Sequence, residues 1–144
     1  MASLVLFSAI EGQLVNGGSP VAGAQVARTW FWHNKDVRGS DSTVTDAQGR
    51  FAFAAVTSGN LLARVMPHEP VVEQQMTARI GSDDVKLWAT FKRNYLQAGE
   101  FDRYTRTAGG TVRIVCDVAA PEAELGEIIG RCRAATPGPG GGDV

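Results

Sequence analysis

Short apolar runs closed by Gly, Asn, Asp or Pro turns recur along the whole chain. Leu4 to Val15 reads as a first strand, ended by Asn16-Gly17-Gly18-Ser19-Pro20, residues suited to a reverse turn. Ala24 to Trp32 is a second strand; a polar connection from His33 to Ser40 and a short third strand, Thr43 to Thr45, follow. Asp46-Ala47-Gln48-Gly49 predicts a tight turn, with Gly49 free to take a positive φ. From Arg50 to Val56 the pattern alternates, putting Phe51 and Phe53 on one face and Arg50 and Ala52 on the other.

The second half continues in the same way. Leu61 to Met66 is an apolar run stopped by Pro67-His68-Glu69-Pro70. Val71 to Ile80 places Val72, Met76, Ala78 and Ile80 on one face, with Gln74 the polar exception. After the turn Gly81-Ser82-Asp83-Asp84, strict alternation sets Val85, Leu87, Ala89 and Phe91 against Lys86, Trp88, Thr90 and Lys92. A polar segment runs from Arg93 to Gly110, and Thr111 to Val118 makes a last strand with Val112, Ile114 and Cys116 inward. Pro121 to Ile129 predicts one short C-terminal helix, with Pro at a first helical position, early glutamates, and Leu125, Ile128 and Ile129 on one side. Seven or eight short strands at regular spacing indicate an all-β sandwich or barrel. Residues 1–133 form the expected single domain and 134–144 a flexible Gly/Pro tail.

Composition narrows the field. A chain of 144 residues is sized for one core, and 44% hydrophobic with 20% charged residues describes a folded globular protein. A net charge of -1 gives no global attraction to nucleic acid or an anionic membrane. The basic residues are eleven Arg and three Lys, a bias toward planar donors that suit ion pairs and interfaces. No run approaches the ~20 apolar residues that span a bilayer. The N-terminus lacks a positive n-region and its apolar run is broken at Ser8, so it reads as a strand. The chain is therefore expected to be cytoplasmic as synthesised, with any export left to a dedicated machine. Cys116 and Cys132 are either a disulfide or two unrelated thiols.

Three pieces in order carry a resemblance. Ile10-Glu11-Gly12-Gln13-Leu14-Val15, then Pro20-Val21-Ala22-Gly23-Ala24-Gln25-Val26, then Thr45-Asp46-Ala47-Gln48-Gly49-Arg50-Phe51-Ala52-Phe53 resemble the carboxypeptidase regulatory-like family. That resemblance, clear over residues 10 to 56, implies a transthyretin-like (prealbumin-like, Ig-like) Greek-key β-sandwich. Gly12 then avoids a side chain where the first strand packs closely. The remainder, with Pro67-His68-Glu69-Pro70, Trp88 to Tyr95 and the two cysteines, resembles a small bacterial family with the same sandwich. Related modules act as adhesive, adaptor or stabilising domains, including parts of contractile secretion spikes. The resemblance implies binding to another protein.

Catalytic constellations fare poorly. Intradiol dioxygenases on a related sandwich hold iron with two Tyr and two His; Tyr95, Tyr104, His33 and His68 match by count, but their order is reversed. Hydroxyisourate hydrolases end in Tyr-Arg-Gly-Ser, which this chain lacks. His68 and Glu69 are possible metal ligands, but neighbours on a strand point apart and spacing supplies no third. There is no Cys-x-x-Cys, phosphate-binding glycine loop or Gly-x-Ser-x-Gly elbow. The expectation is a protein that is not an enzyme and needs no cofactor or metal.

Binding candidates are two. Trp30, Phe31 and Trp32 load both faces of one strand end with aromatics, and Trp88 is expected to face away from Leu87. Lys86 to Arg113 carries more basic than acidic charge beside aromatics. The expected contact set is Trp30, Trp32, Trp88, Lys92, Arg93, Tyr95, Arg103, Tyr104 and Arg106. Its expected partner is an acidic protein encoded nearby, rather than nucleic acid or membrane. An accessory, adaptor or immunity-type protein of a bacterial secretion or toxin system fits this set. The alternatives are a metal-dependent or hydrolytic enzyme using His68, Glu69 and a tyrosine, and a bracing domain of a larger assembly.

Overall fold

The structure, a computed structural model, describes residues 4–59, 68–100 and 110–135. The apolar run Leu61 to Met66 and most of the expected tail lie outside them. Thirteen strands are found among the described residues. They are β1 (Leu4–Phe7), β2 (Ile10–Asn16), β3 (Ser19–Pro20), β4 (Gln25–Trp32), β5 (Val37–Val44), β6 (Arg50–Phe53), β7 (Val56–Ser58), β8 (Val72–Ile80), β9 (Asp83–Lys92), β10 (Val112–Asp117), β11 (Ala123–Leu125), β12 (Ile128–Gly130) and β13 (Cys132–Ala134).

The strands form two main sheets. One runs β11-β12-β9-β8-β4-β5; the other runs β13-β10-β2, with β3 and β6 both pairing along the far side of β2. A small pair, β1 with β7, stands apart. Inward residues of both main sheets, among them Ile10, Leu14, Phe51, Met76, Trp88 and Ile114, share one buried cluster. The fold is therefore an all-β sandwich. The pairing that joins the most distant parts of the sequence is β2 with β10, parallel, from Ile10 opposite Val112 to Val15 opposite Asp117.

Local chemistry explains the expected pieces. Asp46 Oδ1 accepts from the Gln48 and Arg50 amides, and Gly49 takes φ 76°. That turn delivers Phe51 to Gly12, whose missing Cβ would sit 2.4 Å from the Phe51 ring. The second half of the segment expected as a polar connection is strand: Asp36 adopts φ 54°, and Val37 to Ser40 fold back on β4 as the start of an edge strand. An edge strand pairs on one side and faces water, so its polar composition hides it from an apolar-run reading.

Two expectations change. Pro121 to Ile129 is a hairpin, β11 to β12, turning at Gly126 with φ 63°. A nine-residue segment is too short for a helix to hold itself, and here the edge of β9 offers Ile129 and Gly130 a pairing partner. Ala134 and Ala135, at the start of the expected tail, are part of the sandwich: Ala134 pairs with Ile114 and the buried Ala135 donates to Arg113 O.

Cys116 and Cys132 lie opposite one another on β10 and β13 and are joined by a disulfide. The bond encloses the β11–β12 hairpin, which belongs to the other sheet. In the chain-entropy account a loop of this length contributes about 3 kcal/mol.

The strictest local constraint is Gly130. A Cβ there would fall 2.0 Å from Leu87 O, a backbone atom that cannot move aside. Gly130→Ala is expected to cost about 2 kcal/mol or more in urea denaturation. Gly59→Ala, with open space and no positive φ, should cost less; similar losses for both would refute the close-approach account.

Candidate functional site

A β-bulge in β9 decides which side chains reach the surface. Met76 pairs with Trp88 and Thr77 with Lys86, leaving Leu87 as the extra residue. Leu87 and Trp88 are both fully buried, and the alternation beyond them is inverted. Trp88, Thr90 and Lys92 point inward, while Ala89 and Phe91 point out. Strict alternation predicts the reverse for these five positions, because an inserted residue leaves no mark in the apolar pattern.

The inward set is satisfied by a polar network. Trp88 Nε1 donates to Gln74 Oε1 at 3.0 Å, and Gln74 Nε2 donates to Leu6 O and Glu100 Oε2 at 3.0 and 2.9 Å. Glu100 also accepts from the Ser8 amide at 2.8 Å and from Ser8 Oγ at 2.5 Å. Lys92 Nζ donates to Asn94 O, Asn94 Oδ1 and Leu96 O at 2.8, 2.9 and 2.7 Å, matching three donors to three acceptors. Burial pushes the Lys92 pKa down to about 8, against the opposing pull of Glu100. The ammonium persists at neutral pH and ties down the loop after β9. This cluster is structural.

A second chain of hydrogen bonds reaches toward solvent. Trp32, 1% exposed, donates from Nε1 to the Tyr95 oxygen at 2.9 Å, and Tyr95 meets His68 Nε2 at 2.6 Å. Burial raises the Tyr95 pKa, and the Trp32 bond opposes that shift. Trp30 turns inward and meets Phe7 edge to face at 6.4 Å.

What remains outside is a strip across the six-stranded sheet. Register places Arg38, Phe31, Glu73 and Phe91 in one row over β5, β4, β8 and β9. The Arg38 guanidinium lies 3.7 Å from the Phe31 ring centre. His33 sits between the aromatics, 4.0 Å from Phe31 and 6.2 Å from Phe91, and meets Glu73 Oε1 at 3.1 Å. Arg93 lies 5.9 Å over Phe91 and 4.0 Å from the Glu69 carboxylate. Phe91 is 46% exposed. Beside the strip, Thr29, Ser40 and Gln75 help line a shallow depression of about 420 Å3.

Of the expected contact set, Trp32, Trp88 and Lys92 are interior and do not form a surface. Trp30 and Tyr95 are half-buried, Arg93 is exposed beside the strip, and Arg103, Tyr104 and Arg106 lie outside the described residues. The added members are Phe31, His33, Arg38 and Phe91. Alternation already puts Phe31 opposite Trp30 and Trp32; Phe91 needs the bulge.

Of the enzyme candidates, His68 and Tyr95 are brought together and the others are placed apart. His68 is on Tyr95, His33 is on Glu73, and Glu69 turns to Arg93. Tyr104 lies outside the described residues, and among those described no three His, Cys, Asp or Glu side chains are grouped to hold a metal. Nor is any described helix long and apolar enough to cross a membrane.

Fold and surface together define a β-sandwich protein with an exposed aromatic and guanidinium strip. Residues 10–119 match the family described as Domain of unknown function (DUF6795), and the chain belongs to that family. No curated protein matches the chain. Among solved structures, chlorocatechol 1,2-dioxygenase from Pseudomonas putida aligns at a TM-score of 0.39 and 15% identity, over 76% of this chain and 57% of that one. A likeness that distant, spanning little more than half of the enzyme, transfers no activity.

The Lys92 arrangement makes a pH prediction. Its pKa is about 8 folded and 10.5 as the free side chain, so above pH 8 the unfolded chain keeps a proton the folded one has lost. Stability from this group therefore rises with pH, by up to ~1.4 kcal/mol per unit, until the unfolded lysine also titrates. Urea denaturation at pH 7.5 and 9.5 should show that gain in the wild type and not in Lys92→Met. Equal pH dependence of the two proteins would contradict the assignment.

Proposed function

We propose that this chain is a non-catalytic protein-binding module whose docking surface is the outer face of the six-stranded sheet. The observation that carries the reading is the Arg38-Phe31-His33-Phe91-Arg93 strip, in which rings and guanidinium groups are held by stacking on a rigid sheet. Aromatic residues and Arg are enriched at the cores of interfaces, and pre-ordered side chains lose less entropy on binding. Arg38 has no carboxylate partner among the described residues, so it is available to an acidic partner.

The three-part signature from Ile10 to Phe53 supports the finer reading of the sandwich as transthyretin-like, of the carboxypeptidase regulatory-like kind. With it comes the proposal of an accessory or adaptor role in a bacterial secretion or toxin system, with a partner encoded nearby. The Cys116–Cys132 disulfide favours a working location where thiols oxidise, which accords with export after synthesis.

The test is association with proteins encoded beside this one, measured by calorimetry. Phe31→Ala with Phe91→Ala should weaken binding by at least ~2 kcal/mol, and Arg93→Glu should slow association and flatten its salt dependence. Ser82→Ala, at the distant β8–β9 turn, should change nothing. If the double variant binds normally, this face is not the docking surface.

A further inference from the structure

The opposite outer face, on the five-stranded sheet, holds a different arrangement. Parallel pairing sets Arg113 beside Glu11, and antiparallel pairing sets Arg50 beside Gln13. Their side chains line a small depression of about 120 Å3 with Val115 and Ala135, both buried although they lie on the outer side of the sheet. An apolar floor of this kind strengthens any charge interaction above it.

Two donors there lack partners. Arg113 Nε is buried without a hydrogen bond, alone in this among the side-chain atoms of the described residues. The Glu11 carboxylate faces it at 3.6 Å, which is ion-pair distance but too long for a hydrogen bond. Arg50 has no ion-pair partner among the described residues. Gln13 Nε2 is committed to Gln48 O at 2.8 Å, so the arginines are the free donors. Within the depression two guanidinium groups face one carboxylate, and Arg133, opposite Val115 on β13, adds a third guanidinium beside it, so the face is net positive. A buried orphan donor normally marks a missing acceptor.

We infer that this depression receives one carboxylate, an aspartate or glutamate side chain of a partner protein, held between Arg113 and Arg50. A net positive lining calls for an anion, and the guanidinium fork matches a planar carboxylate. The site is on the other side of the sandwich from the aromatic strip and stands whether or not that strip docks a partner.

The experiment follows the arginine Nε–Hε signals of the full-length, 15N-labelled protein while acetate is added at constant ionic strength, with chloride and inorganic phosphate as separate arms. Acetate should shift the Arg113 and Arg50 signals saturably, with a dissociation constant on the order of 10 mM, and chloride should not. Arg113→Gln should weaken the Arg50 response about tenfold while leaving the backbone spectrum folded. Arg50→Gln should do the same to Arg113 and serves if the first variant fails to fold. Absence of saturation would mean that water alone satisfies Nε and would overturn the site. Tighter binding of phosphate, or an unchanged response in both variants, would overturn the carboxylate assignment.

Discussion

One extra residue in β9 organises this sandwich. With Leu87 bulged, its side chain and that of Trp88 both enter the core, and everything after them is turned over. The interior gains Trp88 and Lys92, the surface gains Phe91, and Leu87 O turns to where Arg131 N can reach it at 2.9 Å. That contact, together with the bare Cα of Gly130, lets β12 dock against β9. A bulge strains the regular ladder, and here it is held by large apolar burial and by a polar network that closes around it.

The interior is unusually ionic for a chain of this size. Arg28, on β4, is fully buried, bidentate to Asp41 of β5 at 2.8 and 3.0 Å, with Phe7 and Phe53 stacked on its guanidinium. Its remaining donors reach Ser8 O at 3.0 Å and Ala54 O. Ser8 thus answers Arg28 with its carbonyl and Glu100 with its amide and hydroxyl. Such groups need not stabilise the fold relative to an apolar core, but losing one partner strands a buried charge. They tie the break between β1 and β2 to β4 through Arg28 and to the segment after β9 through Glu100.

These constraints shape what the molecule presents outside. The large tryptophans and the lysine after the bulge are consumed by the interior, so the binding role proposed above falls to smaller aromatics and to arginines. Arg suits this because its planar group can stack on a ring and still donate at its edge. The sandwich holds both outer faces rigidly, one with stacked rings and the other with paired guanidinium groups over an apolar floor. A module built this way can engage a partner without reshaping itself.

Alternation and turn chemistry determined much by themselves. They specified an all-β chain, the Asp46–Gly49 turn, and one shared face of β8 that carries Gln74 among apolar residues. Each depends on residues within one strand or one turn. Contacts between distant segments decided the rest. The β11–β12 hairpin replaced a plausible helix because β9 offered an edge. Cys116 and Cys132 were joined because β10 and β13 lie in register. Phe91 came to the surface because Leu87 bulged. In each case the deciding partner lies outside the local sequence window, where neither propensity nor periodicity can register it.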